Sequence, residues 1–135
     1  MCLQDTADVL SHTASCVALN EAKANLFACK WGIESGRLIA SKQSRYDYIV
    51  MSDVLYNPDN FGDLLDTIVE CSSSDTQVML MYEKRRLDLK SFFSSLSHHF
   101  LSQSLTVYEV VNSQNYRKTE FHLHHLVSKK PLQGV

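Results

Sequence analysis

The run Tyr46-Asp47-Tyr48-Ile49-Val50-Met51-Ser52-Asp53-Val54-Leu55-Tyr56 constrains this chain more than any other stretch. A short apolar segment that ends in Ser-Asp and is followed by Asn57-Pro58-Asp59 has the form of a buried parallel strand opening at its carboxyl end into a loop. Open α/β sheets bind their ligands at such ends. Asp53 and Tyr56 are therefore the first candidates for chemistry.

The segments around that run alternate between strand and helix patterns. Ala7 to Ala22 contains no Pro or Gly and predicts a helix with a thin apolar stripe of Val9, Leu10, Val17 and Leu19. Asn25 to Trp31 predicts a strand that Gly32 ends, and Leu38 to Ser41 is too short a run to assign. Pro58-Asp59-Asn60 predicts a helix start, with Phe61, Leu64, Leu65, Ile68 and Val69 forming the inward stripe and Cys71-Ser72-Ser73-Ser74 the stop. Thr76 to Tyr82 predicts a buried strand, Asp88 to Phe100 a helix, and Ser104 to Val111 with Glu120 to Val127 an antiparallel pair joined by a polar loop. This order implies an α/β fold whose sheet is mostly parallel with an antiparallel finish. With no internal repeat and no Pro/Gly-rich linker, residues 1–130 are expected to form one domain and 131–135 a tail.

Composition narrows the class further. With 44% hydrophobic and 21% charged residues over 135 positions, the chain can bury a core. A net charge of -2 gives no electrostatic reason to expect nucleic acid. Cys2, Cys16, Cys29 and Cys71 lack paired short spacings, and no basic stretch precedes an apolar one at the N-terminus, so the expected compartment is reducing, cytoplasmic or nuclear. No apolar run approaches the ~20 residues of a membrane span.

The Asp53-x-x-Tyr56 run resembles the fourth strand and following motif of the seven-β-strand protein-lysine methyltransferases, methyltransferase family 16. Cys29-Lys30-Trp31-Gly32 is similar to the Trp-Gly that ends the family's third strand, and Tyr82-Glu83-Lys84-Arg85 to the Tyr-Glu-x-Arg that ends its fifth. Leu3-Gln4-Asp5 resembles the end of the second strand, with Asn20 following at the family's spacing, so the resemblance runs from Asp5 to about Lys130. It implies a Rossmann-like class I methyltransferase sheet and S-adenosylmethionine as cofactor. The implied reaction is methyl transfer to a lysine of a protein substrate; the charge and the lack of a long apolar run already lead us to expect neither nucleic acid nor membrane as partner.

Carried over residue by residue, the resemblance assigns Asp5 to the ribose hydroxyls of the cofactor, Trp31 to the adenine region and Ser52 to the adenosyl group. A carboxylate suits a vicinal diol because it accepts two hydrogen bonds. Asp53 and Tyr56 are implied to line the lysine channel, orienting a neutral amine and stabilising the charge that develops on it. Glu83 and Arg85 are carried as rim residues of that channel, or as a surface ion pair.

The family's first strand and Gly-rich cofactor turn have no counterpart here, because none of Gly32, Gly36, Gly62 and Gly134 forms a Gly-x-Gly turn. That strand lies between the second and fourth in the family, so its absence is expected to leave open sheet edges, at about 1 to 3 kcal/mol for each buried unsatisfied group. The alternative function is accordingly a non-catalytic interaction module that pairs a partner at an open edge.

On pattern alone, Asp53 could instead cap the turn before Pro58, Tyr56 could be a core-edge aromatic and Trp31 a packing residue. His122, His124 and His125 lack accompanying Cys or carboxylate at a metal-binding spacing, so no metal is expected and the strand histidines are read as facing solvent. No Gly-x-Ser-x-Gly turn offers a hydrolase nucleophile.

Overall fold

Parallel pairing begins at the first residues of the chain. The computed structural model describes the backbone of residues 2–5, and residues 7–42 and 46–131 in full. The chain divides into two compact units, Met1–Trp31 and Gly32–Val135. In the first, strand β1 (Cys2–Asp5) pairs in parallel with β2 (Asn25–Ala28), and helix α1 (Leu10–Leu19) connects them. The strand expected to reach Trp31 stops at Ala28 because Ala28 is level with Asp5, where its partner strand ends. Helix α1 is shorter than the Ala7 to Ala22 pattern. Asn20 closes it by donating from Nδ2 to the Cys16 carbonyl at 2.7 Å, and Glu21 turns the backbone into the left-handed region at φ 51.

The second unit holds a mixed four-stranded sheet in the order β3-β4-β6-β5, formed by β3 (Tyr48–Ser52), β4 (Gln77–Glu83), β5 (Phe100–Val111) and β6 (Lys118–Ser128). β3 and β4 run parallel, whereas β6 runs antiparallel to both β4 and β5. Three helices accompany it: α2 (Ile33–Lys42), α3 (Phe61–Cys71) and α4 (Lys90–His99). Met51, Val78, Leu80, Tyr82, Leu126 and Phe100 project to one face and are buried with Phe61, Leu64 and Ile68 of α3 and Phe92 and Leu96 of α4. Phe61 and Phe92 meet with ring centroids 5.3 Å apart, tying α3 to α4. Lys130 donates from Nζ to the carbonyls of Val69 and Ser72 and so satisfies the carboxyl end of α3.

Helix α2 contains the stretch that pattern alone leaves unassigned. Its only buried residues are Gly36 and Ile39, and a central glycine opposes helix formation in isolation. Close approach to α3 decides the matter. A Cβ on Gly36 would lie 2.7 Å from Glu70 Cβ and 3.1 Å from Thr67 Cα. Thr67, 5% exposed, accepts a hydrogen bond from Gly32 N–H at 2.7 Å and donates to the Asp63 carbonyl at 2.9 Å. Gly36→Ala should therefore destabilise the protein, because the clash costs about 1 to 3 kcal/mol against a gain of about 1 kcal/mol in helix propensity. Urea unfolding checks the sign; a stabilised variant would show that α2 and α3 separate at no cost.

Strand β5 starts at Phe100, four residues before the expected Ser104. A bulge between Ser102 and Ser104 shifts the alternation, so that Phe100 and Ser102 share a face with Leu105 and Val107. The odd residue breaks the period-two pattern from which the strand is otherwise read.

Candidate functional site

The carboxyl ends of β3 and β4 adjoin through their parallel register, which sets Ser52 opposite Met81. Asp53 N–H continues that ladder by donating to the Met81 carbonyl at 2.8 Å, and the Asp53 backbone then turns left-handed at φ 54. Aspartate tolerates this conformation better than most residues. The turn directs the carboxylate across to β4's end, where Asp53 Oδ2 accepts from Arg85 Nη2 at 2.9 Å. Arg85 Nη2 also reaches Glu83 Oε2 at 3.4 Å. Hydrogen bonding to Asp53, foremost, raises the Arg85 pKa above its ordinary value, so this cation stays charged between two carboxylates. With Asp53 51% and Arg85 36% exposed, the pair adds little to stability and acts mainly by orienting the carboxylate.

The loop beyond is anchored by Leu55, 2% exposed, which leaves Tyr56 57% exposed. Ser52 is exposed at the end of β3. Asp53 does not cap the following turn. Asn57 does, accepting from Asp59 N–H at 3.1 Å ahead of the 3-10 turn Pro58–Asn60. In the first unit, Asp5 is the last residue of β1, and its side chain lies outside the described residues. Trp31 follows β2 in a bend and is half-buried. In the first unit Asp5 thus ends β1 and Trp31 lies just beyond β2; in the second, Asp53, Arg85 and Glu83 are joined by direct contacts. The Tyr-Glu-x-Arg stretch was the available signal for Arg85, whose ion-pair partner is Asp53 as well as the expected Glu83.

The strand histidines do not face solvent as expected. His122 and His124 lie on the helix-covered face, because their register partners are Tyr82 and Leu80. The Tyr82 hydroxyl lies 3.3 Å from His122 Nδ1 and 3.5 Å from His124 Nε2, His122 Nε2 is 2.5 Å from Glu120 Oε1, and Lys84 Nζ is 3.3 Å from the same oxygen. His124 stacks on Phe93 at 4.5 Å. Burial, then the negative charge of Glu120, raises the Tyr82 pKa, while the hydrogen bond from His122 leads the causes that lower that of Glu120. Among the described residues, no set of three His, Cys, Asp or Glu is placed to hold a metal ion.

Burial, assisted by His122, depresses the His124 pKa below its ordinary 6.5. Below that value the unfolded chain takes up a proton that the folded chain resists. The contribution of His124 is therefore complete above pH ~6.5 and is lost as pH falls toward the folded value. Thermal melts between pH 7.5 and 5 (roughly bracketing the histidine range) should show this loss, and His124→Phe should remove that component. An equal acid slope in both proteins would place the linkage elsewhere.

Among the described residues, no helix is long and apolar enough to cross a membrane. A family model described as lysine methyltransferase matches residues 1–99. A UPF0665 family protein of Schizosaccharomyces pombe is 36% identical over 66 residues, covering 49% of this chain and 19% of that protein. The fold is similar to that of the N-methyltransferase NodS of Bradyrhizobium japonicum, solved with S-adenosyl-L-homocysteine, at TM-score 0.65 and 10% identity over 96% of this chain and 66% of that one. It is likewise similar to the PH0226 protein of Pyrococcus horikoshii, at TM-score 0.64 and 10% identity over 96% and 71%. A TehB-like methyltransferase of Corynebacterium glutamicum matches at TM-score 0.63 and 11% identity over 95% and 67%. The chain thus spans about a fifth of the yeast relative and about two thirds of these solved structures. At these identities the structural likeness establishes the Rossmann-like α/β fold of the methyltransferases.

Proposed function

Because the chain belongs to the lysine methyltransferase family, we propose that it takes part in S-adenosylmethionine-dependent methyl transfer to a lysine side chain of a protein substrate. The observation that carries this reading is the left-handed turn at Asp53, which follows a parallel strand and holds a carboxylate against Arg85 at 2.9 Å. The family resemblance supports the adenosyl assignments residue by residue: a carboxylate at Asp5 is of the type that accepts from a ribose diol and an indole at Trp31 of the type that meets an adenine ring, while Ser52, in the second unit, is the small residue that precedes Asp53. No Gly-x-Gly turn is present for its methionine half. When bound, the cofactor supplies an electrophilic methyl group on a sulfonium. Asp53 and Tyr56 accept hydrogen bonds from the incoming amine, hold it in line and offset its growing positive charge. Arg85 keeps the Asp53 carboxylate aimed through the 2.9 Å contact.

Isothermal titration of the chain with S-adenosylhomocysteine tests the cofactor assignment. Micromolar binding that Asp5→Ala weakens is the expected result. A folded chain with no detectable binding would overturn the catalytic reading for this chain.

A second reading rests on a different observation. β3 has β4 as its one neighbour among the described strands, while Tyr48 and Val50 are 59% and 71% exposed. An unpaired, apolar edge of this kind suits a non-catalytic module that adds a strand from another protein. Protein capture that survives Asp53→Asn and is lost with Val50→Lys would favour it.

A further inference from the structure

A polar cluster on the helix-covered face of the four-stranded sheet takes no part in the proposed methyl transfer. Tyr82 of β4 lies level with His122 of β6, and its hydroxyl stands 3.3 Å from His122 Nδ1 and 3.5 Å from His124 Nε2. A phenol carries one hydrogen and so can donate to only one of the two nitrogens. Both separations also exceed the range of about 2.5 to 3.0 Å usual for a hydroxyl donor. They match instead the spacing of ligand atoms around one ion: at about 2.0 to 2.1 Å from a tetrahedral Zn²⁺, neighbouring ligand atoms stand about 3.3 to 3.4 Å apart.

The surroundings fit each atom to that role. His122 meets Glu120 Oε1 through Nε2 at 2.5 Å, and with that nitrogen donating, the neutral imidazole presents the lone pair of Nδ1 to the Tyr82 oxygen. A carboxylate on the far nitrogen is the usual support of a metal-bound histidine. His124 is held by stacking on Phe93 at 4.5 Å, and its burial favours the neutral form that ligates. Tyr82 is 7% exposed, whereas the His122 and Glu120 side chains keep 18% and 36%, which gives an ion a way in from solvent.

We propose that Tyr82 Oη, His122 Nδ1 and His124 Nε2 form a zinc-binding site that ties β4 to β6, with Glu120 as the carboxylate that orients His122. Histidine, cysteine and carboxylate alone make no three-ligand set among the described residues, and here the third ligand is a phenol. It enters from 40 positions away in the chain, so the local spacing of the histidines does not signal it. On binding, the two imidazoles and the phenolate each give the ion a lone pair, the phenol proton passes to solvent, and the fourth position is left to water. Two imidazole nitrogens suit Zn²⁺ better than Mg²⁺ or Ca²⁺, which take oxygen ligands. Lys84 Nζ contacts the same Glu120 oxygen at 3.3 Å, and its exposed side chain can turn away from the ion.

Isothermal titration of the chelator-treated chain with zinc chloride tests the site, with circular dichroism to confirm that each variant is folded. The expected result is one ion bound per chain, with a tyrosinate signal in the ultraviolet difference spectrum that Tyr82→Phe removes. Tyr82→Phe and His124→Phe should each raise Kd by about tenfold or more, and Glu120→Gln, which leaves all three ligands in place, by about ten- to a hundredfold. No binding by the folded chain would overturn the proposal. Binding that Tyr82→Phe leaves unchanged would overturn it as well: loss in His124→Phe would then mean a chelate of the two histidines alone, and retention would mean an ion held elsewhere, as at His98 and His99.

Discussion

Leu80→Ala should lower the unfolding free energy by about 2 to 5 kcal/mol, measured by urea denaturation. Leu80 is fully buried at the centre of β4, level with Met51 of β3 on one side and His124 of β6 on the other. Truncation leaves a cavity between the helices and the strands that also fix the functional end of the sheet. The Asp53 N–H to Met81 carbonyl bond sits one residue beyond Leu80, so loosening there should reach the Asp53–Arg85 pair. The cost should approach the upper part of the range, because Val78 and Tyr82 beside it are themselves buried and the sheet cannot collapse far into the space. A loss below about 1 kcal/mol would mean that the core is loosely packed.

Asp53→Asn should reduce methyl transfer by about 10²- to 10³-fold, the scale on which loss of one aimed electrostatic group is felt in a transition state. Asparagine is the informative substitution because it tolerates the left-handed φ of 54 as aspartate does, whereas alanine would add a backbone penalty of about 1 kcal/mol or more. The change removes the charge that Arg85 contacts at 2.9 Å and leaves the backbone ladder to Met81 in place. Because the proposed cofactor contacts lie at Asp5, Trp31 and Ser52, affinity for S-adenosylhomocysteine should stay within about twofold. Transfer is read as incorporation of labelled methyl into proteins of a cell extract. Equal activity of wild type and variant would remove Asp53 from the lysine channel. Loss of binding in the variant would move it to the cofactor site instead.

Much of the fold is written in local pattern. The stripe of Phe61, Leu64 and Ile68 and the apolar run of β4 both record burial on one face of one element, and a period of 3.6 or two carries that information directly. Helix α2 escapes such reading because its inner face is a glycine, which has meaning only against Thr67 and Glu70 of another helix. The start of β5 escapes it because a bulge resets the alternation. The histidines of β6 are misread because a strand with both faces half-covered carries no clean polarity contrast.

The sequence by itself determined the family, the alternation of strands and helices and the loop that holds Asp53 and Tyr56, since each depends on residues close together in the chain. Tertiary structure alone decided that Arg85 holds Asp53 and that Tyr82 joins His122 and His124. Those contacts link residues up to 42 positions apart. Their geometry comes from strand register and helix packing, which no local period encodes.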